Sequence, residues 1–266
     1  IYTDQKDNIP DLVFNHSVTI GGNGNYNNIG IKIGEADTAT LANDLTEVDW
    51  IQIGEVHSGL LDMNGHRLIT NKLKIKGKLL LDAYAEVICR ETLEVDTGGE
   101  LLLNENAMLK LGTGGAIIKG KLSASGVNAP TITSYNPGNV YYSFKFDSTA
   151  VVNVSHLNFM YPDSQGMVID SGAVIQQLDN IYFENIRQSK LSIYLMIIRG
   201  SSWPTKMNFK DTLNGLTFDP LCDTSVYFES NTSADTLWML SYGGTKIGDN
   251  YDYEINGVVS VSYTHL

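Results

Sequence analysis

The chain of 266 residues is 42% apolar, so it is long enough to bury a substantial core. Its 18 Lys and Arg residues oppose 30 Asp and Glu residues, and the net charge of −12 disfavours nucleic acid and anionic membrane surfaces as partners. No apolar run approaches the roughly 20 residues of a membrane span, so no transmembrane segment is expected in this chain.

The first 58 residues show a weaker strand pattern than the rest of the chain. A turn-rich stretch, GGNGNYNN, occupies residues 21–28, and short apolar alternations follow at Ile31 to Ile33 and at Trp50 to Ile53. The segment from Thr38 to Asp49 predicts a short capping helix between them. We therefore expect residues 1–58 to form an N-terminal coil and capping region. The chain does not begin with Met, and we expect its start and any export signal to lie upstream.

Residues 59–258 carry an internal repeat. KLLLDAYAEVIC at 78–89 matches ELLLNENAMLKL at 100–111 at a shift of 22, and KLSAS at 121–125 follows at a further 21. Apolar and polar residues alternate within each copy, which predicts strands with one buried face and with Lys74, Glu94 and Lys110 in solvent.

A second set of copies continues the repeat. FDSTA at 146–150 returns as IDSGA at 169–173, a shift of 23, and three segments share an apolar-x-x-apolar-x-Phe frame. These segments end at Phe159, Phe183 and Phe218, and we expect the three rings to stack inside the protein. Coils of 21 to 24 residues with three short strands predict an all-β fold, a parallel β-helix solenoid.

The closing residues 259–266 are expected to be a truncated or adapter-derived tail. The last six residues read VSYTHL, which resembles a translated sequencing-library adapter and suggests a metagenomic reading frame. His265 is therefore kept out of every site prediction.

The segment LKLGTGGAIIKGKLSASGVNAPTITS, residues 109–134, resembles the coils of right-handed β-helix regions in large surface or secreted proteins of Bacteroidota-type bacteria. GDNYDYE at 248–254 is similar to a motif that often closes such helices. The resemblance implies a right-handed parallel β-helix of the pectin-lyase-like kind and an extracellular or cell-surface location. It is specific for fold and weak for function.

The pectin-lyase-like group contains polysaccharide lyases and glycoside hydrolases, so pairs of acidic residues were considered as catalytic candidates. A hydrolase needs two carboxylates flanking the scissile bond. Asp147 and Asp170 occupy equivalent repeat positions, although each begins an Asp-Ser turn in which the carboxylate is expected to cap backbone N–H groups. His156 with Asp179 is the other pair that suits acid–base chemistry. The polygalacturonase and pectate lyase signatures are absent.

Aromatic residues in predicted loops suggest a binding surface instead. These are Tyr135, Tyr141, Tyr142, Tyr161, Trp203 and Trp238. Flat rings suit stacking on sugars, and Tyr141, Tyr142 and Trp203 are the predicted ligand-binding residues, with core packing as the alternative for each.

Asp249, Asp252 and Glu254 place hard oxygen ligands within six residues, so Ca²⁺ is a conceivable cofactor, with a solvated turn as the alternative. Cys89 and Cys222 form no CxxC motif, and each is expected to be a buried thiol.

Two functions remain open from the sequence. The favoured one is a noncatalytic, adhesin-like extracellular module that binds glycans or host or cell-surface proteins, or acts as a spacer. The alternative is a polysaccharide lyase or glycoside hydrolase of the pectin-lyase-like group.

Overall fold

The computed structural model of the chain describes residues 11–14, 16–21, 29–34, 37–55, 58–178, 181–187, 194–199, 224–229, 236–240, 252–255 and 258–262. Every regular element in these residues is a β-strand. The strands are β1 (Asp11–Phe14), β2 (Val18–Ile20), β3 (Gly30–Ile33), β4 (Thr38–Leu41), β5 (Leu45–Ile53), β6 (Leu60–Asp62), β7 (Arg67–Ile75), β8 (Lys78–Leu81), β9 (Glu86–Val95), β10 (Glu100–Leu103), β11 (Met108–Leu111), β12 (Ala116–Ile118) and β13 (Lys121–Ala124). They continue as β14 (Thr131–Ser134), β15 (Tyr142–Phe146), β16 (Val151–Val154), β17 (Leu157–Met160), β18 (Pro162–Ile169), β19 (Val174–Leu178), β20 (Ile181–Glu184), β21 (Tyr194–Arg199), β22 (Thr224–Glu229), β23 (Thr236–Leu240), β24 (Asp252–Ile255) and β25 (Val258–Ser262).

All strand pairs are parallel, and each strand pairs with its counterpart one coil away. The front face is the ladder β1-β3-β5-β7-β9-β12-β15-β18-β21-β22-β24. The back face is the eight-stranded ladder β2-β4-β6-β8-β10-β13-β16-β19. A side face branches from β9 through β11, β14, β17 and β20. Three ladders of stacked coils define a parallel β-helix, as the repeat predicts.

The registers of the ladders confirm the repeat shifts read from the sequence. Glu100 pairs with Lys78 on one side and with Lys121 on the other. Phe146 pairs with Ile169, and the Phe159 frame pairs with the Phe183 frame at all four positions of β17 and β20. The third frame, which ends at Phe218, lies outside the described residues.

The capping helix expected between Thr38 and Asp49 is wrong. Thr38–Leu41 is strand β4 of the back face, and the rest of the segment begins β5 of the front face. Alternation explains the difference, because Ala39 and Leu41 are buried while Thr38 and Thr40 are only half-buried. A period of two is the pattern of a strand and not of a helix.

The core runs along the inside of the coils. Strands of the back face bury alternate side chains, such as Leu79 and Leu81 in β8 and Leu101 and Leu103 in β10. The largest fully buried side chains include Tyr142, Phe144, Phe146 and Phe159. Because each coil covers the apolar edge of the next one, the core is a continuous column.

Outward-facing charges form ladders between coils. In the coil that contains β9 and β10, three of the glutamates each lie between two cations, one from the coil on either side. Glu86 lies between Arg67 and Lys110, Glu94 between Lys74 and Lys119, and Glu100 between Lys78 and Lys121. The outward positions predicted for Lys74, Glu94 and Lys110 are therefore confirmed: Lys74 pairs with Glu94 across the coils, and Lys110 pairs with Glu86.

Two further findings complete the fold. The described residues contain no helix with the length and apolar character that a membrane crossing requires. Val258–Ser262 pairs in parallel with Thr236–Leu240, in a separate two-stranded sheet. The adapter origin of residues 259–266 stays a prediction.

Candidate functional site

The two predicted ligand-binding tyrosines point in opposite directions. Tyr142 has no exposed surface, and its ring packs edge to face against Phe159 at 5.7 Å between centroids. Its hydroxyl donates to the main-chain oxygen of Met160 at 3.0 Å and lies 3.2 Å from that of Ile132. Burial raises the pKa of the Tyr142 phenol well above 10, and the charge of Asp163 adds to the effect. Tyr142 is a core residue, the alternative that the sequence left open.

Tyr141 instead belongs to a surface cluster. Its ring lies 6.5 Å from the ring of Tyr161, at an interplanar angle of 50°. The guanidinium carbon of Arg187 lies 5.8 Å from the centroid of Tyr141, within the range of a cation–π contact. We call Tyr141, Tyr161, Asp163 and Arg187 the tyrosine cluster.

Asp163 supplies the negative charge of the tyrosine cluster. Its carboxylate is half-buried and accepts a hydrogen bond from the main-chain N–H of Gln165 at 3.0 Å. Burial raises the pKa of Asp163, and the hydrogen bond from Gln165 and the charge of Arg187 only partly offset this. The described carboxyl groups with lowered pKa values are Glu47, Glu86, Glu94 and Asp96, so Asp163 stands apart in the direction of its shift. A carboxyl group whose pKa is shifted by burial beside a specific charge partner is a candidate for a functional site.

An irregularity in the front face positions Asp163. Tyr142 pairs with Pro162, but Phe144, two residues later, pairs with Met167. The residues of β18 between these two pairs therefore form an excursion from the ladder that carries Asp163. Bulges of this kind redirect side chains and are common next to active sites.

The backbone at Tyr161 is also unusual. Tyr161 has a φ of 59°, a left-handed conformation that bulky residues rarely adopt. Asn185, one coil further on, has a φ of 56°, and its neighbour Glu184 accepts the main-chain hydrogen bond of Tyr161 at 2.8 Å. Asn adopts this conformation readily, whereas Tyr does so at a cost. The ring of Tyr161 is thus positioned in the cluster by a strained conformation of its own backbone.

The carboxylates proposed for catalysis are stacked but already have partners. The pairing of Phe146 with Ile169 places Asp147 and Asp170 at equivalent positions one coil apart. Asp147 accepts a hydrogen bond from the N–H of Ser148 at 2.7 Å, the turn role that the sequence predicts. The carboxylate of Asp170 lies 2.5 Å from the ammonium group of Lys145. Both carboxylates therefore stabilise the coil corner.

The remaining predicted site residues are only partly described. His156 lies in a bend after β16 and is half-buried, while its predicted partner Asp179 lies outside the described residues. Trp203 and Asp249 also lie outside them. Asp252 and Glu254 fall in β24, where their backbones pair with Val226 and Phe228. Within the described part of the chain, no group of three His, Cys, Asp or Glu side chains is placed to hold a metal ion. Calcium binding stays a prediction.

Sequence reasoning named Tyr141 and included Tyr161 among the loop aromatics, but it missed Asp163 and Arg187. The two residues are 24 positions apart, close to one coil, and the main-chain N–H of Arg187 donates to the oxygen of Pro162, next to Asp163, at 3.0 Å. Extending the repeat shift of 24 from the Phe frames to charged residues would have brought the two together.

Comparisons with known proteins add no relative, since the chain matches no protein-family model, no curated protein and no solved structure.

Proposed function

We propose that this chain is a noncatalytic β-helix module of a bacterial extracellular or cell-surface protein, and that it binds glycan at the tyrosine cluster. The single observation that carries the proposal is the geometry of that cluster. Two tyrosine rings lie 6.5 Å apart, with the guanidinium of Arg187 over one of them. Sugar rings present C–H faces that pack on aromatic rings, and their hydroxyl groups need both donors and acceptors. Arg187 supplies donors and Asp163 an acceptor.

The extracellular setting rests on the resemblance of residues 109–134 to β-helix regions of Bacteroidota-type surface proteins. Kinship with the pectin-lyase-like group rests on the same residues. A stacked solenoid suits a surface module, because its coils hold the binding loops on a stiff scaffold.

The noncatalytic part of the proposal is supported by the roles of the acidic candidates. Hydrolysis requires one carboxyl group that donates a proton and a second that stays ionised nearby. Asp147 and Asp170 make a turn hydrogen bond and an ion pair at a coil corner. Burial raises the pKa of Asp163, the direction that suits a proton donor, so an enzyme function would be tested at this residue.

The test of binding is a glycan array probed with the full chain, followed by titration of the best ligand. Tyr161→Asn removes the ring while keeping a residue that tolerates the left-handed backbone. Tyr84→Asn is the matched control, because Tyr84 also has a positive φ, of 68°, and is 75% exposed elsewhere on the rod. We expect Tyr161→Asn and Tyr141→Ala to weaken binding about tenfold, the effect of losing one stacking contact.

Equal losses in Tyr84→Asn and Tyr161→Asn would reject the cluster as the binding site, and an array without any ligand would reject glycan binding. The enzyme alternative has its own readout. Polysaccharides incubated with the chain should gain neither reducing ends nor the ultraviolet absorbance of unsaturated sugars. Cleavage that disappears in Asp163→Asn would replace the module with an enzyme.

A further inference from the structure

A groove on the front face begins four coils before the tyrosine cluster and ends one coil before it. It has a volume of about 390 Å³ and is open to solvent along the outer surface of β5, β7, β9 and β12. Its outward side chains include Trp50, Lys72, Thr92 and Ile117. Ile117 is 41% exposed, so the groove presents apolar surface to solvent.

Trp50 provides the aromatic surface of this groove. Its neighbours Ile51 and Ile53 are buried in the core, so alternation places Trp50 and Gln52 on the outside. The ammonium group of Lys32 lies 5.4 Å from the centre of the indole ring, one coil earlier. This cation–π contact holds the ring in a fixed orientation.

The registers connect the groove to the tyrosine cluster. Trp50 pairs with Lys72, and Lys72 pairs with Thr92. The next residue on this column is Gly115, whose main-chain oxygen accepts a hydrogen bond from the N–H of Leu93, the neighbour of Thr92, at 3.0 Å.

Ser143 lies one coil beyond Gly115 on the same column. A Cβ on Gly115 would lie 2.1 Å from the oxygen of Ser143, so these two residues are stacked, and Ser143 is exposed. Tyr141 precedes Ser143 by two residues in the chain.

Trp50 and Ser143 therefore lie on one longitudinal column, four coil steps apart, and Tyr141 lies two residues to one side of its end, about 7 Å along the strand. At about 4.8 Å per step, the column is about 19 Å long. Two glycines, Gly114 and Gly115, lie at the third coil step from Trp50, where a Cβ on Gly114 would lie 2.3 Å from the oxygen of Glu91. Within the column, Lys72 and Thr92 carry side chains and Gly115 carries none, so the floor of the column is free of side chains only next to Ser143. We call the column from Trp50 to Ser143, together with Tyr141 beside its end, the binding strip.

The electrostatics of the binding strip disfavour a polyanion. The ammonium group of Lys72 lies 3.6 Å from the carboxylate of Glu91, and that of Lys74 lies 3.3 Å from Glu94. The whole chain also carries a net charge of −12. A ligand with many negative charges would have to displace these carboxylates against the overall field. A neutral chain of hydroxyl-bearing rings has no such cost.

We propose that the binding strip takes an extended, unbranched, neutral glycan, which stacks on Trp50 at one end and on the tyrosine cluster at the other. This inference rests on the proposed function, because the tyrosine cluster is one end of the strip. Beyond the proposed function, it specifies that the ligand is extended and neutral, and it adds Trp50 to the aromatic residues that bind it. A disaccharide is too short to reach both ends, so affinity depends on chain length.

The test is isothermal titration of the full chain with cello-, xylo- and manno-oligosaccharides, each as a disaccharide and as a hexasaccharide. The acidic arm is a hexasaccharide of galacturonate. We expect one hexasaccharide per chain, from a neutral series, with an affinity at least about tenfold above that of its disaccharide. Trp50→Ala lowers the hexasaccharide affinity about tenfold and Tyr141→Ala lowers it similarly, whereas Trp50→Tyr, which keeps a ring, retains most of it. Tyr84→Asn is the control and changes nothing.

The outcomes separate this inference from the proposed function. If Tyr141→Ala lowers the affinity for the hexasaccharide and Trp50→Ala does not, the strip is overturned and the tyrosine cluster remains as a short site. Two hexasaccharides bound per chain, or tighter binding of the acidic hexasaccharide than of every neutral one, overturns the strip as well. If the unmodified chain binds none of the oligosaccharides, both proposals are overturned.

Discussion

The rings of Phe159 and Phe183 lie 5.5 Å apart at paired positions of β17 and β20, one coil from each other. Their planes meet at 72°, the edge-to-face geometry that aromatic rings favour. Phe159 also contacts the rings of Phe144 and Tyr142, at 5.3 and 5.7 Å between centroids. This aromatic column lies directly beneath the tyrosine cluster, because the core residue Tyr142 adjoins Tyr141 in the chain. Core packing therefore fixes the position of the candidate site.

Phe159→Ala should lower the free energy of unfolding by about 3 to 5 kcal/mol, because it empties the centre of the aromatic column. The measurement is urea unfolding followed by circular dichroism. Asn158→Ala, which changes the adjacent half-buried residue of the same strand, is the control and should cost about 1 kcal/mol or less. Equal effects of the two substitutions would show that the column is not packed as described.

Tyr84→Gly should stabilise the protein by about 1 kcal/mol. Tyr84 has a φ of 68°, and the corresponding turn residues of the neighbouring coils are Gly65, at 72°, and Asn106, at 58°. Glycine adopts this conformation without strain, and the exposed ring of Tyr84 contributes little packing. Tyr182→Gly, in strand β20, should do the opposite, because glycine weakens a strand. A rise in melting temperature for Tyr84→Gly with a fall for Tyr182→Gly is the expected pair of results.

The charge ladders should make stability fall in acid. The hydrogen bond from Lys119 lowers the pKa of Glu94 below its ordinary value of 4.5, against the effect of burial, and Lys74 lowers it further. A carboxylate with a depressed pKa in the folded state stabilises that state fully above the ordinary value. This contribution is lost as the pH falls through the folded pKa. Stability should therefore decline below about pH 4.5 and not between neutral pH and that point.

Glu94→Gln isolates this effect. The variant should be less stable than the parent chain at neutral pH, because it loses its charge interactions with Lys74 and Lys119. The difference in urea midpoint should shrink as the pH falls through the folded pKa of Glu94, because the parent carboxyl group is then neutral as well. A difference that stays constant with pH would mean that the ladder charge contributes nothing.

Cys89 should be unreactive in the folded protein. Its side chain is buried, and burial raises the pKa of the thiol to about 12. The thiol also lies 3.1 Å from the main-chain oxygen of Thr92, to which it donates. In a Cys222→Ala background, a thiol reagent at neutral pH should label Cys89 at the rate of unfolding. Fast labelling without denaturant would contradict the burial.

Much of the fold could be predicted because the sequence of a solenoid repeats at the length of its coils. Lys78, Glu100 and Lys121 pair at the shifts that self-comparison gives, since each coil packs only against its neighbours. The N-terminal region was misjudged where the period was interrupted. The strand that starts at Leu45 has a register shift before Val48, with Glu47 at a φ of 60°, and this irregularity hid the alternation of β5.

The candidate site was harder to predict for a physical reason. Tyr141 and Tyr142 are adjacent, and alternation in a strand sends one outward and the other into the core, but the sequence of the loop before β15 does not say which. Asp163 reaches the surface cluster through an excursion of β18, and such bulges have no fixed sequence signal. The repeat therefore predicts the scaffold, whereas the candidate site depends on a departure from the repeat, the excursion of β18.

Engineered disulfides test the stacking of coils most directly. In a Cys222→Ala background, Glu100→Cys combined with Lys121→Cys places two thiols at paired positions of adjacent parallel strands. Lys78→Cys combined with Glu100→Cys does the same one coil earlier. Adjacent parallel strands are about 4.8 Å apart, within the range that a disulfide bridges. Lys78→Cys combined with Lys121→Cys spans two coils, about 9.6 Å, and is the control. Mass spectrometry of the oxidised monomers should find the bond in both adjacent pairs and not in the control. A bond in the control pair, or its absence from both adjacent pairs, would contradict the solenoid and the binding strip built on it.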